Sequence, residues 1–360
     1  MKTILYIIIA TLFIVAACQK NEPSSTTLNF DNTGNQNEDN KDWLIPIAEV
    51  RDGGPGKDGI PALSDINFIN VEETTYLLDN DLVLGFADGE DVRAYPHPIL
   101  DWHEIINDDT ENHSLAVIYC PLTGTGIGWD RVINEQITTF GVSGLLYNSN
   151  IIPYDRLSDS NWSQLLLKSV NGELAGTIPK TYNLIETTWK TWKEMFPSTK
   201  VVSRSTGYNR SYLSYPYGDY KTSKNLIFPV SNLDNRRHEK ERVLAVIINE
   251  KAAAFTFENA TTTFKLVNHI FEETKLAVVK NTNANLILAF NRVLTDGTLL
   301  NFEVIQNELP TILLDEEGTK WDVFGRGISG PRKGQNLEPI QQMMGYWFSF
   351  ATFYPEITLY

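Results

Sequence analysis

Cysteine, histidine and methionine are scarce in this chain of 360 residues, with two, five and four copies. Cys18 ends the N-terminal apolar run, so Cys120 is the only thiol left in the body. With Cys18 modified, no intramolecular disulfide can form. Basic runs are missing too: the densest, Arg236 to Arg242, has acids inside it, and the formal net charge is −15. Nucleic acid and anionic lipid surfaces are therefore poor partners. No Cys-x-x-Cys or histidine-rich spacing marks a metal site. The glycine-rich turn Asp52 to Gly59 lacks the Walker spacing, and Gly124-x-Gly126-x-Gly128 lacks the dinucleotide pattern. Gly141 to Leu145 is not a nucleophile elbow, because its second glycine falls one position early.

What is present begins with a processing signal. Lys2 supplies a positive n-region, and Ile4 to Val15 form an apolar stretch too short to span a bilayer comfortably. The run ends Val15-Ala16-Ala17-Cys18, which resembles a bacterial lipobox. Residues 1–17 are therefore expected to be removed and Cys18 to carry the lipid anchor, with several acyl chains giving stable membrane attachment. Residues 18–42 hold only Leu28 and Phe30 as large apolar side chains and read as a tether. Gln19, rather than aspartate, after the cysteine fits sorting to the outer membrane of a bacterial envelope, facing either side. The membrane, through this anchor, is the one partner the sequence names.

The rest of the chain contains its own alignment. Residues 83–202 recur in degraded form as 243–360, at an offset of 158 to 161 positions. Leu115-Ala116-Val117 answers Leu276-Ala277-Val278, Trp162 answers Trp321, Trp189 answers Trp347 and Pro197 answers Pro355. A repeat this long means two copies of one unit rather than a solenoid. The expected fold is α+β: two tandem homologous β-dominated lobes with short helices, from an internal duplication, packed face to face about a pseudo-twofold axis. The expected boundaries are 43–202 for the first lobe, 203–242 for a Tyr-, Ser- and Pro-rich bridge, and 243–360 for the second lobe. Within the first lobe, Val83–Phe86 and Val92–Tyr95 read as a hairpin. Pro98 opens a helix over Ile99–Ile106 that puts Leu100, His103 and Asn107 on one face. Ile185–Phe196 reads as a helix closing the unit.

Comparing the copies sorts residues by role. Both keep apolar residues, aromatics and glycines, whereas the second has Asn281 for Cys120, Asn291 for Asp130, and Thr263 or Phe264 for His103. A fold that survives without these groups did not need them. One reading is a first-lobe pocket in which Cys120 is a thiolate nucleophile or redox centre. His103 is then its base, Asp101 or Asp130 the orienter, and Arg131 the binder of an anionic substrate. A second is a copper or zinc site built from His97, His103 and Cys120. A third keeps Cys120 as a buried apolar side chain in an envelope protein that binds or scaffolds without chemistry. The sequence leaves open which holds, whether the protein is an enzyme, and any cofactor.

Two stretches carry a family resemblance. The first is Tyr95-Pro96…Trp102-His103-Glu104-Ile105-Ile106-Asn107-Asp108. The second is Tyr119-Cys120-Pro121-Leu122-Thr123-Gly124…Trp129-Asp130-Arg131. With Phe140 to Ser149, Tyr154-Asp155-Arg156, Trp162-Ser163-Gln164 and Gly59 to Leu63, they resemble the bacterial domain-of-unknown-function family 3179 over roughly residues 45–360. The resemblance implies an exported bacterial protein and brings no activity with it. Many members carry a second cysteine where this chain has Thr123, so the resemblance implies no dithiol here.

Overall fold

The computed structural model describes residues 43–360, so the signal segment, Cys18 and the tether fall outside the described residues. The described residues are β-dominated, with several sheets and three short α-helices: α1 (His97–His103), α2 (Trp189–Met195) and α3 (Trp347–Phe353). One sheet runs in the order 185–188, 82–88, 91–96, 200–202 and 68–69; another runs 341–346, 242–248, 251–256 and 358–359. In both, the strand after the closing helix pairs in parallel with the second strand of the hairpin. Further sheets order as 181–182, 125–130, 114–120, 105–109 and as 265–271, 274–281, 286–291. Trp162 donates its indole N–H to Asp155 at 3.0 Å, and Trp321 donates to Asp315 at the same distance.

Strand Ser114–Cys120 shows how the layers stack. It is an almost unbroken apolar run buried on both faces. By the period-two rule its residues divide: Leu115, Val117 and Tyr119 enter one apolar cluster, and Ala116, Ile118 and Cys120 another. The first cluster also takes Leu313, Trp321 and Val323, and the second takes Val243, Ala245 and Trp347. Both of these cores thus draw on residues from both sides of the 203–242 segment, whereas a smaller cluster around Leu244, Phe255 and Ile287 is built by the second half alone.

Two helix expectations shift. Ile105 and Ile106 do not extend α1 but pair with Ile118 and Val117, because β-branched side chains favour the pleated sheet. Asn107 therefore lies in a strand, where its amide holds both the N–H and the C=O of Phe140. Likewise Ile185–Thr188 is a strand, and α2 starts only at Trp189, with the Thr188 hydroxyl accepting the Thr191 N–H at its first turn. The segment 203–241 contains no helix or strand and lies across the C-terminal end of α1 and the turn after Cys120.

Candidate functional site

Strand Asp91–Pro96 runs directly into α1, where Pro98 occupies the first turn without losing a hydrogen bond. The helix stops at Glu104, whose φ of 59° and ψ of −38° lie in a region that residues other than glycine rarely adopt. Glu104 is fixed there by two backbone bonds, its N–H to Leu100 and its C=O from Tyr119, at 2.8 and 2.7 Å. The strained turn presents the Glu104 carboxyl to the end of strand Ser114–Cys120, one register step from the thiol.

A cluster of buried polar groups surrounds α1. His97 Nε2 lies 3.2 Å from Glu186 Oε2, but off the line that a hydrogen bond requires. The other Glu186 oxygen is paired with Arg242, which also donates to the Gly124 carbonyl at 2.6 Å. A Cβ at Gly124 would fall 2.3 Å from that guanidinium, and its φ is +63°, so glycine is required here on both counts. The Asp101 carboxylate takes Lys221 from the bridge at 2.9 Å. The His97 ring lies 4.5 Å from Tyr119, centroid to centroid. Nine buried side-chain nitrogens and oxygens lack a hydrogen-bond partner among the described residues, and four sit here: His97 Nε2, Asp101 Oδ1, Glu186 Oε2 and Arg242 Nε. Buried polar atoms are nearly always paired, so this concentration calls for an explanation.

Ionisation follows the packing. Burial pushes Glu104 up to about 8, with a Tyr217 hydroxyl opposing it. Burial also raises Asp101, against the pull of Lys221 and His97. Glu186 is equally buried, yet the Arg242 charge and the His97 ring outweigh burial and hold it at about 2. Environments that push neighbouring carboxyls apart in this way characterise functional sites, as well as some structural ion-pair networks.

The bridge covers the cluster with tyrosines. Tyr215 donates its hydroxyl to the Pro121 carbonyl at 3.2 Å, and Tyr220 to that of Leu122 at 3.0 Å. Tyr212 reaches the His103 ring at 2.7 Å.

The residues singled out from the sequence do not share one pocket. Cys120 is fully buried, its Sγ 3.7 Å from the Ser149 carbonyl, and burial together with Glu104 pushes its thiol up to about 11. His103 has no lone pair for it. Its Nδ1 must donate to the Pro61 carbonyl at 2.8 Å, which leaves Nε2 to accept from Tyr212. Burial, aided by the Arg210 charge, lowers the His103 pKa despite that carbonyl bond, so the ring is neutral at pH 7. Asp130 pairs in register with Leu115 while Cys120 pairs with Thr125, five steps away, or about 17 Å along the strand. It is tied to Tyr182 at 2.7 Å and to Lys180 at 3.4 Å. Val132 N–H, Tyr182 and Lys180 hold it low although burial opposes them. Arg131 anchors Asp109 and the Thr138 carbonyl at that same far end.

The metal reading finds no support among the described residues. Among the described residues no group of three His, Cys, Asp or Glu side chains could hold an ion. His97 and His103 stand at opposite ends of α1, six residues and about 9 Å of rise apart. Their partners differ too: His97 faces Tyr119 and Glu186, while His103 faces Pro61 and Tyr212. Cys120 lies on the opposite strand face from Tyr119.

Comparison with known proteins gives one match. The sequence model of the family described as protein of unknown function (DUF3179) matches residues 57–357. No curated protein and no solved structure matches the chain.

Proposed function

The chain belongs to the DUF3179 family, and we propose that it is a lipid-anchored protein of the bacterial envelope that binds a small polar ligand at the α1 cluster. The observation that carries the binding site is the pair of buried atoms without a hydrogen bond on Asp101 and Arg242, beside the poorly aligned His97–Glu186 contact. Such groups offer both donors and acceptors, so the ligand class is a solute bearing hydroxyl, amide or amino groups in compact array. Cys120 is a buried side chain near Glu104 rather than a nucleophile. Its thiol is pushed up to about 11, and His103 has no free lone pair.

The test is thermal unfolding of Asp101→Asn. A carboxylate kept for a ligand is costly to bury, so the amide should leave the melting temperature unchanged or raise it. The same variant should lose any stabilisation that wild type gains in a thermal-shift panel of sugars, polyols and amino acids. A drop of more than about 5 °C would assign the Asp101–Lys221 pair to the fold and remove the site.

An internal duplication fits this reading, with lobes 43–202 and 243–360 about a 203–242 bridge. Its support is the shared strand order with its parallel closing pair, and the Trp–Asp bond found in each half. The lipid anchor rests on the sequence around Cys18. Cys18→Ser should move the protein from the membrane fraction to the soluble one, and retention of that variant in washed membranes would refute the anchor. The outer membrane is the proposed address, on the strength of Gln19.

A further inference from the structure

Arginines in this protein are almost all engaged. The sequence holds twelve. Eight of them pair with carboxylates. Arg51 and Arg292 donate to backbone carbonyls. Arg204 and Arg210 do neither among the described residues, and both line one cleft of about 540 Å³ on the bridge. This happens in a chain with 45 acidic residues against 30 basic ones, where a carboxylate partner is easy to supply. None lines the cleft, whose other polar walls include Ser205, Ser211, Ser214 and Tyr208.

The cleft is also held in shape. Arg210 lies 6.0 Å from the Trp102 ring, and the Trp102 indole N–H donates to the Ser214 carbonyl at 3.0 Å. Asn67 fixes the Ser205 carbonyl at 3.1 Å, and Tyr212 is buried against His103. These ties restrain both ends of the cleft before any ligand arrives.

We propose that the Arg204–Arg210 cleft binds a tetrahedral oxyanion of the phosphate or sulfate class, either free or as an ester. Guanidinium forks pair with two oxygens of such a group, and the serine and tyrosine hydroxyls can donate to the others. The exposure of both arginines makes the affinity modest and salt-dependent. The overall charge of −15 works against a broad anionic surface but leaves a small anion able to enter. The site is independent of the α1 cluster and would stand if that cluster bound nothing.

The test is calorimetric titration of the full-length protein in neutral detergent with inorganic phosphate, at low ionic strength and neutral pH. Saturable binding should appear, with sulfate competing and chloride at equal ionic strength leaving it largely intact. Arg204→Gln/Arg210→Gln should bind at least about tenfold more weakly, since each lost charged hydrogen bond alone is worth that much. Arg210→Lys, which keeps the charge but not the fork, should show an intermediate loss and guards against a folding artefact in the double variant. Flotation with phosphatidylglycerol vesicles distinguishes the sources, using Cys18→Ser protein so that the anchor does not contribute. Vesicle binding lost in parallel in the double variant assigns the anion to a lipid headgroup, and vesicles ignored while phosphate binds assign it to a soluble phosphate. The proposal is overturned if neither anion gives saturable heat, or if the glutamine and lysine variants bind as wild type does.

Discussion

Arg242→Met is expected to lower the unfolding free energy by about 3 to 5 kcal/mol at neutral pH, the usual cost of stranding one member of a buried pair. Since 22% of the Arg242 side chain still reaches solvent, the lower half of that range is expected. Methionine keeps much of the stem's packing against Tyr346 but removes the charge facing Glu186 and the donor to the Gly124 carbonyl. The sign with pH follows from Glu186, whose pKa is held at about 2, below its ordinary value near 4.5. Its stabilising contribution is present above that ordinary value and is lost as pH falls towards 2. The gap between wild type and variant should therefore be widest near pH 7 and shrink as the solution is acidified. Arg242→Met/Glu186→Gln should recover most of the loss, because nothing charged is then left unpaired. Urea midpoints at pH 7 and pH 4 for the three variants and wild type check this. A single-variant loss below about 1 kcal/mol would mean that water, rather than Arg242, compensates Glu186.

Cys120 drew attention in the sequence because the second half has Asn281 at the matching position, and the turn after it does abut the cluster. Gly124 is where Arg242 touches down, and Tyr215 and Tyr220 bind the carbonyls of Pro121 and Leu122. The chemistry at that turn was not legible, since it comes from three separated segments: residues 97–104, Glu186, and the bridge with Arg242. A usable signal did exist. Glu186 pairs in register with Leu84 as Met344 pairs with Leu244, so aligning the two halves would have marked Glu186 as a carboxylate that the second half answers with Met344. It was hidden because Ile185–Phe196 reads as one continuous helix in sequence. Tertiary pairing instead makes its first four residues a strand, whose inward face holds the acid. Asp130 and Arg131 misled for a different reason. They lie in the same hairpin as Cys120, but strand geometry puts them at its other end. The β-dominated architecture itself followed from short alternating runs between turns, whereas the sharing of cores between halves depends on long-range packing that no local pattern encodes.

Glu104 should dominate the alkaline side of the stability profile, because it is a buried acid with no cation beside it among the described residues. Burial pushes its pKa up to about 8, so the folded state keeps a proton that the unfolded chain gives up near 4.5. Wild-type stability should then be unaffected by this group below about pH 4.5, fall by up to about 1.4 kcal/mol per pH unit across the window, and level off above 8. Glu104→Gln keeps the shape and a donor to replace the carboxylic proton but cannot ionise. It should match wild type at pH 4.5 and exceed it by a few kcal/mol at pH 8.5, in the direction opposite to the Arg242 variant. The measurement is urea unfolding of both proteins at those two pH values, with the difference between the curves isolating the one residue. Parallel profiles would show that Glu104 ionises freely in the fold, and that its position on a strained turn beside Cys120 is then a matter of backbone routing alone. A gap that opens with pH would mean that the protein keeps a neutral carboxylic acid against the thiol at the cost of stability. A fold selected for stability alone would have exchanged that group for an apolar one.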